Sequence, residues 1–461
     1  MNVFTETERG LRASITGSAI VIGAGIAGLT AAYRLQHEGW RVTVLERSPQ
    51  AGGRMSNSMI GSLKVVTGAT VLFNFYSDMM ALIRHLGLER RIEWLPEGEA
   101  PTIHTRDAVF SADASRGPLQ LLRSPALGAA SKARLACLLP GVLRARRTTD
   151  PNLLGDGGGL DTESVSSYVR RLVGDDFLEN YLEPFFRANW SWEPEEISRA
   201  YLLSLLAHTG RRLGIFTFDG GVHVLTTELA RRLDVRTGVE ARAVRPREGG
   251  GRLVEAHGPN GDETLEVDAV VVATTASAAR ELVVDLEPWE RAFLDGVEYS
   301  RVGVVHYVLR DSPAYVEAFY ARSHPSPFAL YGQYPGGRKD VGEVPEVYCE
   351  LSPAAVEEYL AADGVGLEAF VRPHAKARYP SLDEHTVEVA EQWWDEMLPK
   401  FPYGYPTRLA TFLRGQDELR RPDLVFAGDY LAHSHTGGAC ASGRVAADTL
   451  RARSRSAGRR R

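Results

Sequence analysis

Cysteine is scarce in this chain: three residues in 461, at positions 137, 349 and 440. Spacing this wide builds neither a metal motif nor a disulfide framework, and it suits a reducing cytoplasm. Lysine is scarcer still for its class, five among 53 cations. Alanine and glycine are abundant, so the arginine excess reads as GC-rich coding rather than as a phosphate-binding surface. No run of about 18 apolar residues occurs, and no membrane-spanning helix is expected. Met1–Gly17 lacks an apolar stretch, which argues against a secretory signal. The formal charge is −6, giving no global pull toward nucleic acid. No internal repeat occurs. Arg451–Arg461, with six arginines among Ser, Ala and Gly, reads as a solvated, disordered basic tail over 454–461, with an anionic-surface anchor as the alternative.

What the chain does have begins at Ala19. An apolar run, Ala19–Ile22, leads into Gly23-Ala-Gly25-Ile-Ala-Gly28. A helical pattern follows (Leu29, Ala32, Tyr33, Leu35), then a second strand, Val42–Leu45, ending in Glu46. Each part has a physical task in holding a dinucleotide. Gly23 permits a tight turn, Gly25 lets backbone approach a pyrophosphate, and Gly28 lets helix and strand pack closely. The helix start turns its unpaired N–H groups toward the phosphates. Glu46 can accept hydrogen bonds from a ribose; it lies 18 residues after Gly28, close to the expected spacing of about 20. It also disfavours a 2′-phosphate, an argument that Arg47 softens.

Farther along, Ser77 reads as the N-cap of a helix ended by Gly87. Residues 119–148 are Leu-rich and helical in pattern, broken by Pro125 and Pro140. They read as a helix pair of a substrate domain, with a membrane-lying face as the alternative. Helices are expected over Glu163–Leu172, Asp176–Phe186, 196–208 and Val224–Leu233, and strands at Val65–Val71, Phe216–Phe218, Ala269–Ala273 and within 297–310. Glu391–Leu398 reads as an amphipathic segment, Leu424–Ala427 as the final strand, and Gly438–Arg453 as the last helix.

Three separated motifs then fit one family: Gly52-Gly53-Arg54, Ala273-Thr274-Thr275, and Phe426-Ala427-Gly428-Asp429 with Gly437-Gly438-Ala439 and Ser442-Gly443. Gln392–Gly404 and Phe218-Asp-Gly-Gly221 with Leu225 and Leu229 add to them. Over residues 18–452 the chain resembles the FAD-dependent amine oxidase superfamily, which includes protoporphyrinogen oxidases, phytoene desaturases and amine oxidases. The resemblance implies an α/β protein: a discontinuous Rossmann-like FAD-binding domain (15–75, 210–285 and 405–453) with an inserted α+β substrate-binding domain (76–209 and 286–404). It places Asp429 on the ribityl or pyrophosphate part of FAD and the last helix's start, near Gly438 and Ala439, at the flavin N1–C2=O edge, where a helix N-terminus suits negative charge. The backbone of Val239 would meet adenine, and Arg54 and Gly68 would lie beside the pyrophosphate and isoalloxazine. Ile26, Ala27, Arg47, Gly53, Ala69, Thr70, Ala273 and Thr274 complete the expected cofactor contacts. No cysteine lies between Cys349 and Cys440, where covalent members carry the linking thiol, so non-covalent FAD is expected.

In such enzymes the cofactor carries the hard chemistry and the protein supplies position and electrostatics. The expected partners are a small-molecule substrate and O2 or another acceptor. His306 is the one catalytic candidate; many amine oxidases keep a lysine on the corresponding strand, and a structural, hydrogen-bonded histidine is the other reading. Trp393, Trp394, Tyr403, Tyr405 and His435 are candidates for a pocket beside the flavin, and Phe185, Phe186, Trp190 and Trp192 for a channel, with core packing as the alternative. His433 and His435 lack a third partner, and no metal is expected. The reading is an oxidase or dehydrogenase acting on a largely apolar, cyclic molecule, protoporphyrinogen-oxidase-like. Its alternatives are a flavin amine oxidase and a non-redox chaperone of prenylated proteins on the same fold.

Overall fold

A computed structural model describes residues 17–60, 63–66, 68–95, 101–111, 119–208, 213–334, 344–362, 364–419 and 421–458. Residues 1–16, on which the expectation of no secretory signal rests, and the last three arginines lie outside the described residues. The centre is a five-stranded parallel sheet drawn from three distant stretches of chain. Its order is Asp234–Thr237, Trp40–Glu46, Gly17–Ile22, Ala269–Val272, Leu424–Phe426. The apolar runs at 19–22 and 269–272 have no polar alternation because both faces of the sheet are covered. Ala19, Val21 and Val271 face the first and last helices (Ile26–His37 and Thr436–Gly458), whereas Ile20, Ile22, Val270 and Val272 join the core beneath a three-stranded antiparallel sheet over 240–267. The first and last helices cross closely: a Cβ on Gly443 would stand 2.1 Å from Ala27 O. Arg34–Asp448 (2.7 Å) and Arg451–Glu38 (2.9 Å) tie their ends.

The second body is a seven-stranded, largely antiparallel sheet. From one edge its strands run in the order Thr386–Trp394, Val302–Leu309, Glu346–Leu351, Phe328–Tyr334. One face carries Val305, Tyr307, Val347, Cys349 and Leu351 against the helices Pro353–Ala361 and Leu367–Arg378. A helical layer over 119–208 completes the molecule. The whole is the expected α/β architecture with an inserted α+β part.

Several local expectations give way to the structure. The amphipathic segment 391–398, given no element type by the sequence, begins as the end of a strand that runs to Trp394. The expected helix 176–186 is interrupted by a π turn at Leu178–Leu182, and a fresh helix runs over Glu183–Trp190 with Pro184 in its first turn, where a missing N–H costs nothing. Pro140 likewise opens the helix Leu139–Thr148 rather than breaking one. Helical backbone continues to Gly458, past the point at which the disordered tail was expected to begin.

Candidate cofactor and active site

The residues singled out for a dinucleotide come together at the carboxyl ends of the parallel strands. Gly23 adopts φ +102°, and a Cβ there would meet Ala273 O at 2.6 Å. A Cβ on Gly28 would meet Gly23 O at 2.0 Å and Ala273 Cβ at 3.1 Å. These two glycines therefore seat the helix on the turn. Gly53 abuts Gly25, with 3.4 Å from its built Cβ to Gly25 Cα, and Gly52 N–H donates to Ala24 O at 2.8 Å. The first intrahelical bond runs from Leu29 N–H to Gly25 O, so the N–H groups of Ile26, Ala27 and Gly28 precede the helical ladder.

Glu46 ends its strand almost fully buried. Its carboxylate accepts from Ala24 N–H (2.8 Å) and Ser48 N–H (2.9 Å), which leaves lone pairs for further donors. Val239 sits beside it, its N–H donating to Glu46 O at 2.9 Å. Arg47 is exposed. Thr274 follows Ala273 next to the glycine turn, and Ala273 N–H is held by Ile22 O at 2.8 Å.

At the other edge Arg54 and Asp429, 375 residues apart, form a two-point ion pair at 2.8 and 3.1 Å. The guanidinium pKa is raised: burial acts against the charge, and Asp429 more than compensates. Ala69 N–H donates to Arg54 O at 2.8 Å, and Gly68 backs the same carbonyl closely enough that a Cβ would stand 2.8 Å from it. Thr70 is half-buried next in the chain. Gly428 N–H bonds Ser442 Oγ at 3.0 Å. The last helix begins at Thr436, two residues ahead of the expected Gly438–Ala439 start.

His435 caps that helix. Its Nδ1 accepts from Gly438 N–H (2.9 Å) and its Nε2 donates to Pro151 O (3.0 Å), while the ring stacks 4.7 Å from Tyr76. Burial lowers its pKa to about 3. Both nitrogens are thus engaged, so the ring offers a substrate no free donor or acceptor. Trp393 and Trp394 do not share a pocket, because neighbours on a strand face opposite ways. Trp394 joins Val302, Val304, Tyr348 and Met397, whereas Trp393 packs 5.3 Å from Tyr359 on the far face. Tyr403 is 57% exposed. Tyr405 is buried and bonds Tyr430 O at 2.8 Å. Phe186 and Trp192 are core; Phe185 and Trp190 are half-buried around them.

His306 is buried at mid-strand, opposite Tyr348 and Ala390. Its Nδ1 lies 3.1 Å from Glu346 Oε2, and its Nε2 has no hydrogen-bond partner. The register puts Glu346, Tyr348 and Glu350 on the same face as Val304, His306 and Val308. Ser191 and Tyr348 donate to Glu350 at 3.2 and 2.9 Å. Sequence reading passed over these acids, although polar residues at every second position of an otherwise apolar strand were the signal. The His306 face adjoins the Arg54 edge through Met397: its Cε lies 3.0 Å from the Cβ position of Gly68, and its carbonyl accepts from Arg54 Nη1. A cleft of about 380 Å3 lies nearby, lined in part by Ser191, Tyr299, Ser300, Val356 and Glu396; neither His306 nor Arg54 lines it.

The residues fit a bound dinucleotide. A Cβ built on Gly25 meets nothing within 4 Å, so the floor before the first helix is open. At the opposite end the hydroxyls of Tyr430 and Ser434 and both ring nitrogens of His433 are buried without hydrogen-bond partners, an arrangement that calls for a polar ligand or water.

Strand ends arranged in this way define the class of dinucleotide-cradling α/β proteins. The comparisons narrow it: a family model described as flavin containing amine oxidoreductase matches residues 26–451, and the chain belongs to that family. It is a flavin-dependent oxidoreductase with FAD as cofactor. The chain is 20% identical to protoporphyrinogen oxidase 2 of Arabidopsis thaliana over 95% of its own length and 94% of that protein's. It is 23% identical to coproporphyrinogen III oxidase of Bacillus subtilis over 58% and 62%. Its fold matches cyclohexylamine oxidase from Brevibacterium oxydans with a TM-score of 0.69 at 16% identity, covering 96% and 99% of the two chains.

Proposed function

We propose that the chain removes hydride from a largely apolar, cyclic small molecule in a protoporphyrinogen-oxidase-like desaturation or aromatisation. It acts in the cytoplasm with O2 or another electron acceptor. Residues 15–75, 210–285 and 405–453 hold the cofactor; 76–209 and 286–404 hold the substrate. The observation that carries this reading is the His306 face. Val304 and Val308 flank the histidine along its strand, Tyr348 and Ala390 lie opposite it, and the apolar cluster of Val302, Val304, Tyr348 and Trp394 continues from there to Met397 beside the Arg54–Gly68 edge. Kinship with the two porphyrinogen oxidases supports the ring-containing substrate.

Glu46 serves the ribose, with Val239 beside the adenine. The first helix's N–H groups and Arg54 serve the pyrophosphate, and Asp429 with the last helix's start serves the ribityl and flavin end. When bound, FAD supplies a two-electron acceptor. Non-covalent attachment is supported by the cysteines: burial pushes the Cys440 thiol up to about 12 and raises Cys349 well above its ordinary value, so neither offers a thiolate. With Nδ1–H donated to Glu346, His306 presents a lone pair on Nε2 to the apolar face. There it can take the proton that a substrate N–H or C–H gives up as hydride leaves the neighbouring carbon.

The test is anaerobic mixing of the purified protein with coproporphyrinogen, protoporphyrinogen and cyclohexylamine while flavin absorbance is followed. Bleaching by a porphyrinogen is expected. Bleaching by the amine alone would transfer the assignment to amine oxidation.

A further inference from the structure

Most arginines whose side chains are described are paired with acids, but one stretch stands apart. Residues 119–148 carry six cations and no acid, in a protein whose formal charge is −6. Among the described residues no ion pair engages Arg123, Lys132, Arg134, Arg144, Arg146 or Arg147, and all but Lys132 are exposed. A surface stretch with six cations and no acid of its own carries a local positive field that attracts anions.

The same stretch exposes large apolar side chains. Leu139 and Leu143 are each 56% exposed and Leu122 is 46% exposed. On the helix Leu139–Thr148, the spacing of Leu139, Leu143, Arg146 and Arg147 puts them on one side. Packing fixes which side that is. Ala145 is buried, and a Cβ on Gly141 would stand 3.1 Å from Leu203 of the helix Arg199–His208, so the leucines and arginines face outward together. Leucines ringed by unpaired arginines on a surface helix are the chemistry of an anionic lipid surface: the apolar tips enter the headgroup boundary and the guanidiniums meet the phosphates. A nucleic acid would use the charge and leave the leucines idle. No helix among the described residues is long and apolar enough to cross a membrane, so the contact is with the surface only.

We propose that the outward face of residues 119–148 docks the protein on anionic membranes. The test is co-sedimentation of the full-length, FAD-loaded protein with vesicles of phosphatidylcholine alone or with roughly 30% phosphatidylglycerol. The protein is expected to pellet with the anionic vesicles, not with the neutral ones, and to be released by about 0.5 M salt. The double variants Leu139→Ser/Leu143→Ser and Arg146→Gln/Arg147→Gln should each lower the partition coefficient about tenfold with flavin content and melting temperature unchanged. Should the leucine pair disturb folding, Leu143→Ser alone is read instead, with a proportionately smaller loss. Failure to pellet with anionic vesicles at low salt would overturn the proposal. So would a leucine variant that binds like the parent, or tighter binding to duplex DNA that ignores the leucines.

Discussion

Two histidines show how burial can set a pH limit. His435 is held neutral by burial, with the hydrogen bond to Pro151 O acting the other way, and its pKa is lowered to about 3. Burial first, and then His435 and His208, keep that of His433 well below its ordinary 6.5. An unfolded chain takes up both protons near 6.5, but the fold refuses them. Their contribution to stability is therefore complete above 6.5 and is lost as pH falls toward 3, by at most about 1.4 kcal/mol per pH unit per histidine. Urea midpoints measured from pH 7 down to pH 4 should decline accordingly. His435→Asn, which keeps a capping oxygen, should flatten the decline; an unchanged slope in that variant would rule the histidine out. Neither the cap nor the neutral state was legible in the sequence. The His-Ser-His spacing suggested ligands or a pocket rim, and only the position of Gly438 N–H and Pro151 O shows otherwise.

The opening strand, turn and helix were legible because each glycine answers a local steric demand, and those demands differ. Gly25→Ala places a methyl in open space at an extended backbone angle, φ −70°. The apoprotein should fold with an unchanged melting temperature yet retain little FAD. Gly28→Ala drives a methyl into Gly23 O, so the fold itself should weaken by several kcal/mol, at or beyond the usual range of about 1–3 kcal/mol for overpacking. Thermal melts of the apoproteins, with flavin content of the purified holoproteins, separate the two; equal melting temperatures would refute the steric account. The strand Thr386–Trp394 was not legible as a strand. Its tryptophans are half-buried against different layers, which erases the alternation that marks a half-exposed strand. The same loss of pattern hid the division of the supposed aromatic pocket between two faces.

At the scale of the molecule, the three-stretch sheet was visible only through widely separated motifs, since pairing across some 250 residues leaves no local trace. The seven-stranded sheet's order and the His306–Glu346 contact were invisible for the same reason. The last helix closes the whole: it covers the sheet with Cys440, Ala446, Ala447 and Leu450 and is bonded at Arg34, Glu38 and Asp78. A chain cut after Leu431 keeps every strand and Asp429 but uncovers that face, and it should be recovered as aggregate without flavin. A soluble, flavin-bearing product would refute this role for the helix.

This closure also bears on synthesis. The strand at 17–22 leaves the ribosome early, but its neighbour at 269–272 and the final strand at 424–426 come much later. At roughly 5–20 residues per second the first glycine turn waits tens of seconds, its apolar faces uncovered, before it can hold anything. Such a protein cannot mature from its N-terminus forward, and nascent chains will lean on chaperones until the last helix emerges.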